Sequence, residues 1–229
     1  MPNISEKEIN YYLNNTLQLT DTFCFDCQMC GSCCRKRQEP IAVTGFDIYR
    51  IAQALDMEPW NIIKKYMRGT IGHISHLPVV YLAERPDGSC KLLRKGRCIV
   101  QNSKPIVCAL FPLGRLQTDE KSHFGYFLSN SCCLGMQAGT KKWTLQEWLD
   151  NSGIRKYEKE SLVWNKLIMD IVSITSKMPI SKIHNYVIIA MFNTMYTHYD
   201  ISEDFVVQVE ENKKILDKIF RKTYGKSIM

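Results

Sequence analysis

The ten cysteines of this chain and their spacing indicate thiolate chemistry. Five of them fall within eleven residues in the pattern C-x2-C-x2-C-x2-CC: Cys24, Cys27, Cys30, Cys33 and Cys34. The other five are Cys90, Cys98, Cys108, Cys132 and Cys133. Soft thiolates select zinc and iron–sulfur clusters over hard cations such as magnesium. C-x2-C spacing lets two sulfurs converge on one metal atom. The first cluster therefore predicts a thiolate-ligated metal centre.

The spacing leaves the identity of the metal open. Two C-x2-C elements make a tetrahedral zinc site, whereas C-x2-C-x2-C also matches the way bacterial ferredoxins hold three corners of a 4Fe-4S cluster. The candidate ligands are all sulfur, and the sequence has no His-x3-5-His partner. That composition slightly favours an iron–sulfur cluster (4Fe-4S) over zinc.

Cysteine usage and hydropathy together predict a cytoplasmic location. The N-terminal residues lack a basic region followed by an apolar stretch, so we expect no signal peptide. The longest apolar run, Tyr186 to Phe192, is too short to cross a bilayer, and we expect no membrane span. In a reducing compartment, clustered thiols are metal ligands or catalysts more often than disulfides.

The formal net charge of +7 is partly offset once thiolates are counted. Two four-thiolate centres would lower it to about +3, because each leaves a net charge of −2 around zinc or an oxidised 4Fe-4S cluster. Basic residues flank the cysteines, with Arg35, Lys36 and Arg37 after the first cluster and four more between Cys90 and Cys98. No helix-turn-helix pattern or interleaved aromatic residues accompany them, which argues against a nucleic-acid partner.

Local signals predict a mostly helical α+β fold, in which a metal-organised cysteine-rich loop and hairpin region packs against a C-terminal helical segment. Capping boxes start helices at Thr44 with Asp47 and at Thr144 with Glu147, and Pro59 suits a first helical turn. Helical patterns also cover residues 5–19, 154–176, 181–199 and 202–223. Strands are predicted over 78–83, returning over 89–93, and over 123–129. We expect two domains: a metal-binding domain over 1–140 and a helical segment over 141–229.

The cysteine pattern resembles a known family. Residues 25–34 read FDCQMCGSCC, which is similar to the FxCxxCGxCC motif of the CxxCxxCC cysteine-cluster family, the YkgJ-type proteins described as zinc- or iron-chelating. The segments around Cys90, around Cys98 and over 104–112 (KPIVCALFP) resemble the second half of that family. Lys104 stands where the family usually has Arg, and Val100 where it has Tyr, while Cys24 is an addition to the pattern. The likeness covers about residues 23–135.

The resemblance implies eight thiolate ligands, enough for two four-coordinate centres or for one centre with the remaining thiols buried. They are Cys27, Cys30, Cys33, Cys34, Cys90, Cys98, Cys108 and one of the late pair, for which we take Cys132 over Cys133. His73 and His76 lie near this region in sequence and are interpreted as surface-loop residues. Phe111 and Pro112 are expected to pack against the cysteine loop.

Two classes of function follow. The first is a metal-binding module, redox-active or accessory to a protein partner. The second rests on the family's similarity to the cysteine-rich part of flagellin lysine N-methylase, which implies an S-adenosylmethionine-dependent lysine N-methyltransferase acting on a protein substrate. The chain has no G-x-G-x-x-G element after a strand to support a nucleotide pocket. A third option is hydrolysis at a zinc-bound water, for which Glu39 and Glu84 are nearby carboxylates, but nothing distinguishes them from surface residues.

Overall fold

The computed structural model describes residues 6–35, 40–117, 124–129, 133–137 and 140–229. The fold is 51% helical and 17% strand, with several small sheets, which confirms a mostly helical α+β fold. The α-helices of the described residues are α1 Glu6–Asn14, α2 Gly45–Leu55, α3 Pro59–Tyr66, α4 Ile106–Leu110, α5 Leu134–Gln137, α6 Leu145–Ser152, α7 Glu158–Thr175, α8 Asn185–Phe192 and α9 Phe205–Tyr224. The strands are β1 Thr22–Cys24, β2 Ala42–Val43, β3 Met67–Ile71, β4 Pro78–Leu82, β5 Leu93–Arg94, β6 Arg97–Cys98, β7 Leu113–Gln117, β8 Phe124–Leu128 and β9 Lys142–Thr144.

The chain divides into two compact units, each built from two separate segments. The cysteine unit runs over Met1–Glu39 and Glu84–Tyr157, and the helical unit over Pro40–Ala83 and Glu158–Met229. Compactness alone does not define which segments fold on their own, so the predicted division into 1–140 and 141–229 stays a prediction.

The helical unit has an apolar core between its long helices and one small sheet. Thr44 caps α2 through the predicted capping box with Asp47, and Pro59 occupies the first turn of α3. The antiparallel sheet has the strand order β2-β4-β3, with Val80 paired with both Val43 and Gly69. Fully buried side chains fill the space between these elements: Ile48, Ile51, Ile62, Leu167, Ile171, Met191, Met195, Leu216 and Phe220.

Among its described residues, the cysteine unit has three two-stranded ladders, and β1 and β6 each contain a cysteine. β1 pairs with β9, which joins residues 22–24 to residues 142–144. β5 and β6 form a tight hairpin whose two turn residues, Lys95 and Gly96, both have positive φ, the conformation that matches strand twist in two-residue hairpins. β7 pairs with β8. Thr144 and Glu147 form the predicted capping box of α6.

The predicted return strand over residues 89–93 is wrong. Ser89 and Cys90 make only isolated bridges, to Arg35 and to Glu84, and the next strand begins at Leu93. The chain turns here, since Leu93 N donates a hydrogen bond to Cys90 O at 2.9 Å. The Arg85 guanidinium also donates to the carbonyl oxygens of Cys90 and Lys91 at 2.6 and 2.8 Å, which stabilises this turn.

Candidate metal centre

The first cysteine cluster lies on a loop that is anchored at its start by backbone hydrogen bonds. Phe25 N donates to Lys141 O (3.0 Å), and Asp26 N donates to Gly135 O (2.9 Å). Gly135 has no space for a side chain, since a Cβ there would clash with the carbonyl oxygen of Asp26. This close approach fixes the backbone immediately before Cys27.

A left-handed turn aims the end of the loop. Gly31 has φ 70°, and a 3₁₀ turn over Ser32–Cys34 follows it. The Arg35 guanidinium folds back and donates to Cys30 O at 2.8 Å. A side chain at position 31 would be strained in φ and would also clash with that guanidinium. The glycine of the CGSCC motif is therefore required by the backbone itself.

Cys90 is held beside the first cluster by its own backbone. Cys90 N donates to Cys34 O (2.8 Å), and Cys90 O accepts from both Arg85 Nη1 and Leu93 N. Ser89 Oγ accepts from Arg85 Nη1 (3.1 Å) and donates to Asp87 Oδ1 (2.6 Å), which stabilises the turn before it. Cys90 is the most buried cysteine among the described residues, with 3% of its surface exposed.

Two further elements carry Cys98 and Cys108. Cys98 ends β6 opposite Leu93, so the hairpin places it close to the Cys90 segment. Cys108 lies in α4, whose first turn follows Pro105, and Cys108 N donates to Pro105 O at 2.9 Å. Both thiols are half-buried.

Five thiols from four segments lie in one neighbourhood, which we call the thiol cluster: Cys33, Cys34, Cys90, Cys98 and Cys108. Cys33 Sγ and Cys34 Sγ are 3.9 Å apart. The thiol of Cys34 interacts electrostatically with those of Cys90, Cys98 and Cys108. Cys98 interacts in the same way with Cys90 and Cys33. The fold thus gathers residues separated by up to 75 positions in sequence, from 33 to 108.

The thiols of the cluster differ in acidity. A hydrogen bond between the sulfurs of Cys33 and Cys34 raises the pKa of Cys33 and lowers the pKa of Cys34. Burial raises the pKa of Cys98, and the nearby Lys104 ammonium acts in the opposite direction. The hydrogen bond between the two sulfurs thus leaves one of them available as a thiolate, which is the metal-binding form.

The remaining predicted ligands are placed differently. Cys27 and Cys30 are exposed, and a hydrogen bond with Ser32 Oγ (3.1 Å) lowers the pKa of Cys30. Cys133 directly precedes α5 and is half-buried, two residues before the Gly135 that contacts Asp26. Cys132 lies outside the described residues. Cys24 is exposed in β1, paired with Lys142.

The described side chains are not closed around a metal. Within the ranges that the structure describes, no group of three or more His, Cys, Asp or Glu side chains is arranged to hold a metal ion. The donor set nevertheless fits one. Two thiolates on one tetrahedral zinc, with Zn–S near 2.3 Å, have sulfurs about 3.8 Å apart, close to the 3.9 Å between Cys33 and Cys34.

Aromatic residues support both ends of this region. Phe25 contacts Phe111 and Trp148, with ring centroids 5.8 and 5.3 Å apart. Trp148 Nε1 donates to Leu110 O, at the end of α4, and Trp143 Nε1 donates to Phe25 O, each at 2.9 Å. The expected packing of Phe111 against the cysteine loop therefore occurs through Phe25.

Several residues of the site carried no clear signal in the sequence. Arg85 and Ser89 were not singled out, and Lys104 was noted only as a departure from the family pattern. A basic residue five positions before a cysteine is too common to be informative by itself. His73 and His76 belong to the helical unit, where His76 Nδ1 lies 3.0 Å from Thr175 O.

Comparison with known families agrees with the cysteine pattern. Residues 26–133 match the family model CxxCxxCC, described as "Putative zinc- or iron-chelating domain". Residues 26–133 are therefore similar to this family of chelating domains. The matched range begins at Asp26 and ends at Cys133, so it contains all eight cysteines that the resemblance implies as ligands. Neither the curated proteins nor the solved structures give a match to the chain. Among the described helices, none combines the length and the apolar character needed to cross a bilayer.

Proposed function

We propose that the CxxCxxCC domain holds zinc or iron through thiolates of the thiol cluster, and that this metal orders the cysteine unit. The observation that carries the proposal is the position of Cys34, whose thiol interacts with thiols from three other segments. Four thiolates complete a tetrahedral site, and the thiol cluster offers five thiols from four segments.

The sulfur spacing favours a centre in which Cys33 and Cys34 share one metal atom. Zinc, a single iron, or one iron of a 2Fe-2S cluster accepts two cysteines, whereas each iron of a 4Fe-4S cluster binds one. A centre with at least two thiolates on one atom is therefore preferred over the 4Fe-4S cluster. Zinc would supply structural stabilisation, and iron would add electron transfer.

The surrounding residues of the chain have separate tasks. Arg85 donates a hydrogen bond to the carbonyl oxygen of Cys90, which keeps the Cys90 side chain beside Cys34. Lys104 places a positive charge near Cys33 and Cys98 and favours their thiolates. The Phe25, Phe111 and Trp148 rings pack at the side of the loop and of α4.

Anaerobic elemental analysis tests the proposal directly. We expect at least one equivalent of zinc or iron per chain. A single ion would be accompanied by no acid-labile sulfide, whereas an iron–sulfur cluster would contain it. Two equivalents of mononuclear metal would indicate a second centre from Cys27, Cys30 and Cys132 or Cys133. A fully folded chain that contains neither metal nor sulfide would contradict the proposal.

Matched cysteine variants locate the centre. Cys34→Ser is expected to lose most of the bound metal, because a serine hydroxyl is a poor ligand for a soft ion. Cys24→Ser, in the same part of the chain but in the β1 ladder, is expected to keep it. Equal metal content in the two variants would remove Cys34 from the centre. The lysine N-methyltransferase alternative, the protein partner and the cytoplasmic location stay predictions from the sequence.

A further inference from the structure

A second feature of the cysteine unit is a basic cavity of about 290 Å³ beside the Cys90 turn. Four cationic side chains and one carboxylate line it: Arg35, Arg85, Arg94, Lys95 and Asp87. Four positive charges and one negative charge leave a net charge of +3. The cavity thus offers a concentrated positive field in a space near the lower end of the usual size of ligand pockets, about 300 Å³.

The cavity has a fixed frame. Arg85 donates to Ser89 Oγ, Cys90 O and Lys91 O, and Ser89 donates to Asp87. The Asp87 oxygen that accepts from Ser89 is thereby occupied by two donors, the Ser89 backbone N–H and its hydroxyl. These hydrogen bonds position the wall formed by Arg85 and Asp87.

The opposite wall presents cations on a tight turn. Arg94 and Lys95 lie at the tip of the β5–β6 hairpin, and both side chains are exposed. Within the described ranges, neither of them forms an ion pair. Arg35 extends from the first cluster, and its guanidinium approaches Gly31 while it donates to Cys30 O. This bond uses one of the five N–H groups that a guanidinium carries.

We propose that this cavity binds the phosphate group of a small phosphorylated molecule, and the site goes beyond the metal centre proposed above. Guanidinium groups match phosphate oxygens with paired, charge-assisted hydrogen bonds. A net charge of +3 suits a dianionic or trianionic group better than a single carboxylate. The rival explanation is that the same cations only offset the charge of the neighbouring thiolates.

Calorimetric titration of the metal-loaded full chain at low ionic strength tests this, with inorganic phosphate, pyrophosphate and citrate as probes. Pyrophosphate is expected to bind at least about tenfold more tightly than phosphate, because it offers more charged oxygens to the same donors. Phosphate should compete with pyrophosphate for the site, and the affinity for each anion should fall as salt is added. Citrate binding as tight as pyrophosphate would overturn the preference for phosphate. Absence of saturable binding of either phosphate up to about 10 mM would overturn the site.

A pair of variants on the same hairpin separates a local site from the general charge of the domain. Arg94→Gln is expected to weaken pyrophosphate binding about tenfold, as the loss of a charge-assisted hydrogen bond. Arg97→Gln removes the same charge from a neighbouring position that does not line the cavity, and should change affinity less than about threefold. Equal losses in the two variants would overturn the proposal.

Two further readouts distinguish the remaining explanations. The metal content of Arg94→Gln should equal that of the parent chain, whereas loss of metal in that variant would support charge compensation of the thiolates and overturn the phosphate site. A short single-stranded oligonucleotide should bind no more tightly than pyrophosphate. Tighter binding of the oligonucleotide would overturn the proposal of a small phosphorylated ligand and indicate a nucleic acid instead. Metal content is measured separately, so failure of the metal centre and failure of the phosphate site are distinguishable.

Discussion

Nine of the twelve largest fully buried side chains among the described residues lie in the helical unit, and three lie in the cysteine unit. The three are Leu92, in the turn before β5, Leu110 at the end of α4 and Leu145 at the start of α6. Apolar burial contributes roughly 1.5–3 kcal/mol for each fully buried large side chain, so the helical unit has much the larger share of this stabilisation. The cysteine unit instead contains the thiol cluster. The helical unit is thus ordered by a larger apolar core, whereas the cysteine unit has fewer fully buried large side chains and contains all the cysteines of the chain.

Metal removal should give the largest contrast between the two units. We expect a chelator to remove protection from amide exchange in the β5–β6 hairpin and at Cys34 and Cys90, while α7 and α9 keep theirs. The reason is that binding free energy of a structural metal, about 10–16 kcal/mol for zinc in finger peptides, is part of the folding free energy. Hydrogen exchange read by mass spectrometry, with and without chelator, measures this.

The matched control destabilises the helical unit and leaves the cysteines unchanged. Ile171→Ala removes a fully buried side chain from the helical unit and should cost about 2–5 kcal/mol of unfolding free energy without loss of metal.

The chelator experiment can also contradict the expectation. Unchanged exchange protection of the cysteine unit after complete metal removal would show that the apolar contacts of Leu92, Leu110 and Leu145 are enough to order it.

The helical unit was predictable to a degree that the cysteine unit was not. Thr44 with Asp47, Pro59 and the long amphipathic patterns are local signals, and the structure forms α2, α3, α7 and α9 from them. Even there α3 ends at Tyr66, and Met67 begins a strand. The sequence did not predict this change, because β3 is stabilised by pairing with β4 and not by its own propensity.

In the cysteine unit the decisive contacts are non-local. β1 pairs with β9 across about 120 residues, and Cys90 N bonds to Cys34 O. The spacing predicted that the cysteines are metal ligands, but it gave no means to decide which of them lie close together. The error over residues 89–93 has a local origin instead, since Arg85 and Leu93 N hold the carbonyls of this segment in a turn. Side-chain-to-backbone bonds of this kind leave no periodic pattern.

The two units should also respond to acid at different pH values. In the helical unit, burial raises the pKa of the Asp217 carboxyl, but hydrogen bonds outweigh this effect and hold the pKa at about 2, below its ordinary 3.8. The donors are Arg221, Ser227 Oγ and Ile228 N. A depressed folded-state pKa means that this stabilisation is present above pH 3.8 and is lost as the pH falls toward 2. Thiolate ligands are protonated at higher pH, so the cysteine unit should lose its metal first.

The measurement is a pH series of urea unfolding by circular dichroism, combined with metal release followed by a colorimetric chelator. Asp217→Asn should flatten the pH dependence of the unfolding midpoint between about pH 4 and 2 and leave the pH of metal release unchanged. A metal release that shifts with Asp217→Asn, or a helical transition that precedes release, would remove the distinction between the units.

The two capping boxes provide the smallest and most closely matched comparison. In each box the threonine hydroxyl accepts a backbone N–H, from Asp47 N at 3.0 Å in α2 and from Glu147 N at 3.1 Å in α6. Thr44→Ala and Thr144→Ala should each cost about 0.5–2 kcal/mol of unfolding free energy. We expect the larger value at Thr44, whose box is half-buried, because the Asp47 N–H left without its partner is less able to bond to water.

Urea unfolding of the metal-loaded chain measures both substitutions, and Thr44→Ser and Thr144→Ser are the controls because serine keeps the accepting hydroxyl. The unfolding free energy of each alanine variant should differ from that of the serine variant at the same position only by the contribution of the capping hydrogen bond. If the metal orders the cysteine unit, Thr144→Ala should change neither metal content nor exchange protection at Cys34 and Cys90, since α6 begins outside the thiol cluster. A loss of metal caused by so small a change would mean that the start of α6 is part of the support of the site, reached through Trp148 and its bond to Leu110 at the end of α4.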